Sequence, residues 1–209
     1  MSSNSLQNPI LYSYWRSSAA WRVRIALELK GIQYEYRAVN LVQGEQNVHP
    51  GGLVPALQIS ESQAPLTQSI AILSYLESLA SPSLLPEDLL MRAHVLELVY
   101  TIACDTHPLQ NLRVLQTYPE DDRPDHAKRI ISSGLTTFEL LLGEQFGKCC
   151  VADEVTWADI VLVPQVYNAQ RWGVQMEQFP KISKIYGHLI TLPAFIAAHA
   201  DNQPDAPKQ

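Results

Sequence analysis

The change of character between Ser81 and Pro86 constrains this chain more than any other feature. Ahead of it, short β-prone runs alternate with helical ones; behind it, almost every periodic stretch reads as helix. Proline and serine cluster at the break, as they do in linkers. The division predicts an α/β half over residues 1–82 and an all-α half over residues 87–209. A chain of 209 residues is long enough for such a pair and can bury a sizeable core.

In the first half, Ile10 to Tyr14 reads as a strand, Ala19 to Lys30 as a helix ended by Gly31, and Gln33 to Val39 as a second strand. A β-α-β unit of this kind crosses over right-handed and makes a parallel pair. Within the helix, Arg22 and Glu28 are assigned to the polar side. Asn40 to Gly52 is a polar loop. Leu53 to Ile59 is a strand with Pro55 near its start, since proline inside a central strand loses a ladder bond. Pro65-Leu66-Thr67 is its hairpin partner, and Ser69 is expected to cap a helix through Ala80. The second half predicts one long helix from Glu87 to about Thr117, bent or interrupted by Pro108. Others are expected from Pro124 to Phe146, from Thr156 to Arg171, near Lys181 to Leu192 and from Ala194 to Ala200. Thr156 and Asp159 have the spacing of a capping box.

Composition narrows the function. Hydrophobic residues make up 46% and charged residues 17%, which argues against disorder. A net charge of −6 argues against nucleic acid as the main partner, and no apolar run reaches the length of a membrane span. The polar opening MSSNSLQNPI lacks basic side chains and does not resemble a secretory signal, so a cytoplasmic protein is expected. Cys104, Cys149 and Cys150 have no C-x-x-C spacing and no metal-ligand pattern with the six histidines; reduced thiols and no metal are expected.

Chemistry is suggested where polar side chains meet helix starts. Ser17 and Ser18 stand between a strand and a strongly helical run. A helix start carries partial positive charge and unpaired N–H donors, and it suits an anion or a thiolate. Taken alone, a plain N-cap explains Ser17 and Ser18 at least as well, and the same holds for Ser69. Trp157, Ile160 and Leu162 read as core.

The motifs taken together are more specific. Ser17-Ser18-Ala19-Ala20-Trp21-Arg22-Val23-Arg24 resembles the active-site signature of zeta-class glutathione transferases, the maleylacetoacetate isomerase family. Val54-Pro55-Ala56-Leu57 looks like the strand that carries that fold's cis-proline, and Gln68-Ser69 resembles the pair that grips the γ-glutamyl end of glutathione. His107-Pro108-Leu109-Gln110-Asn111-Leu112-Arg113, Val163 to Arg171, and the tail Gln203-Pro204-Asp205-Ala206 are similar to family segments in the same order. The likeness covers nearly the whole chain.

The resemblance implies a thioredoxin-like domain followed by a helical bundle, a homodimer, and glutathione as cofactor. It implies Ser17 and Ser18 as the catalytic pair at the glutathione sulfur. Val54, Pro55, Gln68 and Ser69 would bind the rest of the tripeptide, with Gln46, His107, Asn111 and Arg113 as further contacts. Arg16 and Arg171 would anchor a small dicarboxylate substrate, since a guanidinium grips carboxylate in a fork. For these two arginines a solvated role weighs about equally; for Asn111 and Arg113, polar packing between helices does. The implied reaction is glutathione-dependent cis-trans isomerisation of an unsaturated keto-diacid, with maleylacetoacetate in tyrosine breakdown as the first substrate and maleylpyruvate the second. A transferase or dehalogenase acting on small α-halo acids, and a non-catalytic protein of the same fold, are the alternatives. Two departures stand out. Ala19 replaces the cysteine that usually follows the paired serines. The stretch from Asn40 to Val54 is also shorter than the family pattern by about seven residues, roughly two helical turns. Either this is a deletion that opens the site and weakens glutathione binding, or a mobile loop is absent from this sequence.

Overall fold

The computed structural model describes residues 8–41, 43–45, 48–60, 62–144 and 146–208. In chain order its regular elements begin with β1 (Ile10–Ser13), α1 (Ser18–Leu29), β2 (Glu35–Ala38), β3 (Ala56–Gln58), β4 (Leu66–Thr67) and α2 (Ser69–Leu79). Helices follow: α3 (Leu89–Ala103), α4 (Leu112–Leu115), α5 (Arg123–Leu141), α6 (Trp157–Arg171), α7 (Pro180–Leu189) and α8 (Pro193–Ala198). The chain divides into two compact units: one holds the residues up to Ser83 together with Leu192–Gln209, the other Leu84–Thr191.

The first unit is thioredoxin-like, a four-stranded mixed sheet in the order β2-β1-β3-β4. β1 and β2 run parallel with Ile10 opposite Glu35 and Ser13 opposite Ala38, as the β-α-β reading requires. β3 is antiparallel to both β1 and β4. Leu11, Ala56 and Leu57 are fully buried, and Ile72, Leu73 and Leu76 of α2 are buried with them. Each such aliphatic side chain contributes about 1.5–3 kcal/mol by leaving water. Gly31 ends the first helix in the left-handed region at φ +63°, where a β-carbon is disfavoured.

Helix α1 departs from the amphipathic reading. Arg22 and Arg24 are 2% and 0% exposed, so Arg22 does not lie on a polar side. The cause is cover on two sides: α1 packs against α2, where Arg22 donates to Ser69 Oγ, and against α8, where Arg24 donates to the Ala198 carbonyl. The last segment of the chain, Leu192–Gln209, is part of the first compact unit.

In the second unit α6 is the central element. Twelve of its fifteen residues are buried, and α3, α5 and α7 all pack on it. Its start is closed as the sequence indicates: the Asp159 carboxylate accepts from the Thr156 N–H at 2.8 Å and from the Thr156 hydroxyl at 2.9 Å. It also accepts from the Cys150 N–H at 2.8 Å, and burial raises the Asp159 pKa. The long helix expected over Glu87 to Thr117 is three pieces. α3 stops at Ala103, Pro108 lies at the start of a short 3₁₀ turn from His107 to Gln110, and α4 follows. A proline ring cannot continue the α3 ladder, so the chain leaves it one turn earlier. α5 ends at Leu141 rather than Phe146, where Gly143 turns the chain at φ +57°. No helix among the described residues is long and apolar enough to cross a membrane.

Candidate active site

β1 delivers the chain to the start of α1 through a tight turn in which the Ser17 N–H donates to the Tyr14 carbonyl at 2.9 Å. Ser17 is the N-cap, extended at φ −66° and ψ 113°, and its Oγ accepts from the Ala20 N–H at 3.2 Å. That bond uses a lone pair on Oγ and leaves the hydroxyl proton available to an acceptor outside the helix. Ser18 is the first helical residue and is 8% exposed. No acidic side chain lies in the first turn of α1, so the partial positive charge there is not neutralised from within the helix. Arg16 is half-buried, with its guanidinium 5.2 Å from the centre of the Trp15 ring.

The approach to β3 comes to the same place. Ala20 in the first turn of α1 packs in a buried cluster with Val39 and Val54, bordered by Tyr12, Tyr14 and Leu41. Val54 is 7% exposed, and the Val54–Pro55 peptide bond is cis. At the start of α2 the expected roles shift by one residue. Gln68, exposed and at φ +68°, occupies the N-cap position, and Ser69 is the first helical residue rather than the cap. The Ser69 side chain is spent elsewhere: its Oγ accepts from Arg22 Nη1 at 3.2 Å. That bond joins the starts of the two helices and sets a buried cation behind the Ser69 hydroxyl. α2, like α1, has no acidic residue in its first turn.

Sequence reasoning includes Arg22 and Arg24 in the α1 motif but assigns neither a role in holding this region. Arg24 Nη2 donates to the Trp15 carbonyl at 2.9 Å, its Nη1 to Ser13 Oγ at 3.0 Å and to the Tyr14 carbonyl at 3.4 Å, and its Nε to the Ala198 carbonyl at 3.1 Å. Desolvation lowers its pKa to about 10. Two arginines inside the apolar run AWRVRIAL were the signal: a buried helix with arginines at alternate positions has to offer each of them acceptors.

The remaining candidates belong to the second unit, apart from Gln46, which lies outside the described residues. His107 opens the 3₁₀ turn. Asn111 is the N-cap of α4, its Oδ1 accepting from the Arg113 N–H at 3.2 Å, and Arg113 is exposed. Arg171 ends α6 with its guanidinium 4.8 Å from the Trp172 ring centre. Its Nε donates to Asn168 Oδ1 at 3.2 Å, and Asn168 Nδ2 donates to Gln110 Oε1 at 2.5 Å. Cys104 is exposed, Cys149 and Cys150 are buried, and none is in a disulfide. Burial pushes the Cys149 thiol up to about 12, which makes it a poor nucleophile. Among the described residues no group of three or more histidine, cysteine, aspartate or glutamate side chains is placed to hold a metal ion.

A thioredoxin-like sheet with two acid-free helix starts, followed by a helical unit, is the architecture of a glutathione transferase. Residues 16–79 match the family model "Glutathione S-transferase, N-terminal domain". The chain is 44% identical over 210 residues to the maleylacetoacetate isomerase of Mus musculus, covering 96% of each protein. It superposes on the maleylacetoacetate isomerase of Anaeromyxobacter dehalogenans 2CP-1 with glutathione bound in its active site (TM-score 0.89, 41% identity, 96% of this chain and 98% of that one). A second structure of that enzyme holds dicarboxyethyl glutathione and citrate in the active site (TM-score 0.89, 40% identity, 96% and 94% covered). A zeta-class bacterial maleylpyruvate isomerase superposes with a TM-score of 0.90 at 36% identity, over 95% of this chain and 100% of that one. The chain belongs to the zeta-class glutathione transferase, or maleylacetoacetate isomerase, family.

Proposed function

We propose that this protein is a glutathione-dependent cis-trans isomerase of an unsaturated keto-diacid, with maleylacetoacetate as its substrate. The observation that carries the reading is the start of α1, where Ser17 Oγ is fixed by the Ala20 N–H and keeps its proton to donate. The donor set suits glutathione. Ser17 and Ser18 would hold the sulfur, the Val54 backbone the cysteinyl amide, and Gln68 and Ser69 the γ-glutamyl carboxylate, with the Arg22 charge behind Ser69. When bound, glutathione supplies a thiolate that adds reversibly to the cis double bond, allows rotation about the resulting single bond, and leaves unchanged.

The protein's own work is to keep that sulfur ionised and the diacid oriented. A free thiol has a pKa near about 8.5, and a hydroxyl that donates to the charged form lowers it. Each unit of lowering corresponds to about 1.4 kcal/mol in favour of the thiolate. Arg16 and Arg171 would grip the substrate carboxylates, and the bond that Arg171 Nε donates to Asn168 Oδ1 fixes the plane of the Arg171 guanidinium. His107, Asn111 and Arg113 would add polar contacts to glutathione, with Gln46 as a further one. A cytosolic homodimer fits the free cysteines and the family likeness. The 36% identity to a maleylpyruvate isomerase makes maleylpyruvate the second substrate to test.

The test is conversion of maleylacetone, a maleylacetoacetate analogue, followed with and without glutathione. Conversion that requires glutathione supports the isomerase. Glutathione binding without conversion leaves the transferase and dehalogenase chemistry, and no glutathione binding leaves a scaffold of the same fold.

A further inference from the structure

The residue just ahead of the Arg16-Ser17 pair is held on both sides of its backbone by groups far away in sequence. The Trp15 N–H donates to Asp205 Oδ2 at 3.0 Å, across 190 positions, and the Trp15 carbonyl accepts from Arg24 Nη2 at 2.9 Å. The other carboxylate oxygen, Asp205 Oδ1, accepts from the Tyr36 hydroxyl at 2.6 Å. Arg24 also donates to Ser13 Oγ, the Tyr14 carbonyl and the Ala198 carbonyl, and the Tyr14 carbonyl receives the Ser17 N–H as well. The tail that brings Asp205 here is itself tied down: Gln203 Nε2 donates to the carbonyls of Ala197 and His199 at 3.0 and 2.8 Å. Burial lowers the Arg24 pKa, and the nearby Asp205 carboxylate opposes that effect in part.

We infer that Asp205 is a positioning residue for the active-site turn, acting with Arg24 and Tyr36 to fix the Trp15 peptide and through it the Ser17 hydroxyl. Ser17 follows Trp15 by two residues, and its N–H is anchored on the same Tyr14 carbonyl that Arg24 holds. A turn carrying a thiolate donor has to be placed to within a fraction of an ångström, since a misplacement of about 1 Å can cost 10²-fold in rate. The C-terminal segment does this work from outside the β-α-β unit, and it is also the segment that completes the first unit by covering α1. The inference rests on the proposed role of Ser17 at the glutathione sulfur.

The experiment is an ultraviolet titration of the thiol of bound glutathione in the full-length protein, paired with the pH-rate profile. In Asp205→Ala the thiol pKa should rise by about one unit, a tenfold loss of thiolate at neutral pH. Turnover at pH 7 should fall about tenfold and recover as the pH is raised past the new pKa. Tyr36→Phe, which removes one of the two donors to Asp205 and keeps the tail, should shift the profile the same way by a smaller amount and covers the case in which Asp205→Ala does not fold. Lys30→Met is the control for mere destabilisation: Lys30 Nζ donates to the Ala80 and Pro82 carbonyls in the same unit, and its loss should leave the thiol pKa unmoved. Ser17→Ala separates the two claims. A raised pKa in Ser17→Ala with unchanged profiles in Asp205→Ala or Tyr36→Phe would overturn the positioning role alone. No shift in Ser17→Ala would overturn the role of Ser17 on which it rests.

Discussion

The starts of α1 and α6 are built from the same parts and put to opposite uses. Each begins at a hydroxyl residue in extended backbone, Ser17 for one and Thr156 for the other. At α6 an acid three residues on folds back over the cap, and Asp159 is 0% exposed. The helix supplies its own anion, and the site is closed. At α1 there is no acid in the first turn, the cap residue is half-exposed, and the turn is held instead by Arg24 and Asp205 from its outer side. What separates a structural helix start from a chemical one is therefore whether the chain brings its own carboxylate.

The largest expected effect breaks the closed end. Asp159→Ala strands the Thr156 N–H, its hydroxyl and the Cys150 N–H in a buried place, at a cost of about 3 kcal/mol or more, or about 10 °C in Tm by calorimetry. The thiol titration of glutathione bound to the remaining folded protein should not change. Ser17→Ala is the mirror experiment. It should cut turnover about a hundredfold, as loss of one preorganised donor does, while costing only about 1 kcal/mol of stability as a lost cap. Steady-state kinetics beside denaturant melts would read both.

These two outcomes bear on what the sequence could and could not disclose. The parallel pairing of β1 with β2, the hairpin of β3 with β4, the capping box at Thr156 and Ser17 as the cap of α1 were legible because they depend on local spacing and on residue types with narrow backbone preferences. The fate of Arg22 and Arg24 was not, because it is settled by partners far away in sequence, Ser69 at the start of α2 for Arg22 and Ala198 in α8 for Arg24. Serine is a good cap, yet Gln68 takes the cap position of α2 at positive φ and frees Ser69 for the bond to Arg22. Long-range closure leaves no periodic trace, and a buried arginine in an apolar run is its only advance notice.

Smaller effects sharpen the contrast. Ser69→Ala should raise the KM for glutathione about tenfold, the cost of about 1.4 kcal/mol of charge-assisted binding, and leave kcat at saturation nearly unchanged. A matching loss in kcat would mean that the start of α2 also takes part in the chemical step. The smallest effect is in pH. Burial holds the His199 imidazole, edge-on to Trp21 at 4.9 Å, below its ordinary value. The unfolded chain then takes up a proton first as the pH falls below about 6.5, so stability is full above that pH and declines below it. A thermal melt series from pH 8 to pH 5 should show a fall of a few degrees that is reduced in His199→Gln.

The most direct measurement of the central claim is the pKa of the glutathione thiol bound to the unmodified protein, read from thiolate absorbance across a pH series. A helix start that lacks an acid of its own and carries the Ser17 hydroxyl should hold that pKa at least about one unit below the free value near 8.5. A bound thiol that titrates where free glutathione does would contradict the assignment of α1 as the thiolate site.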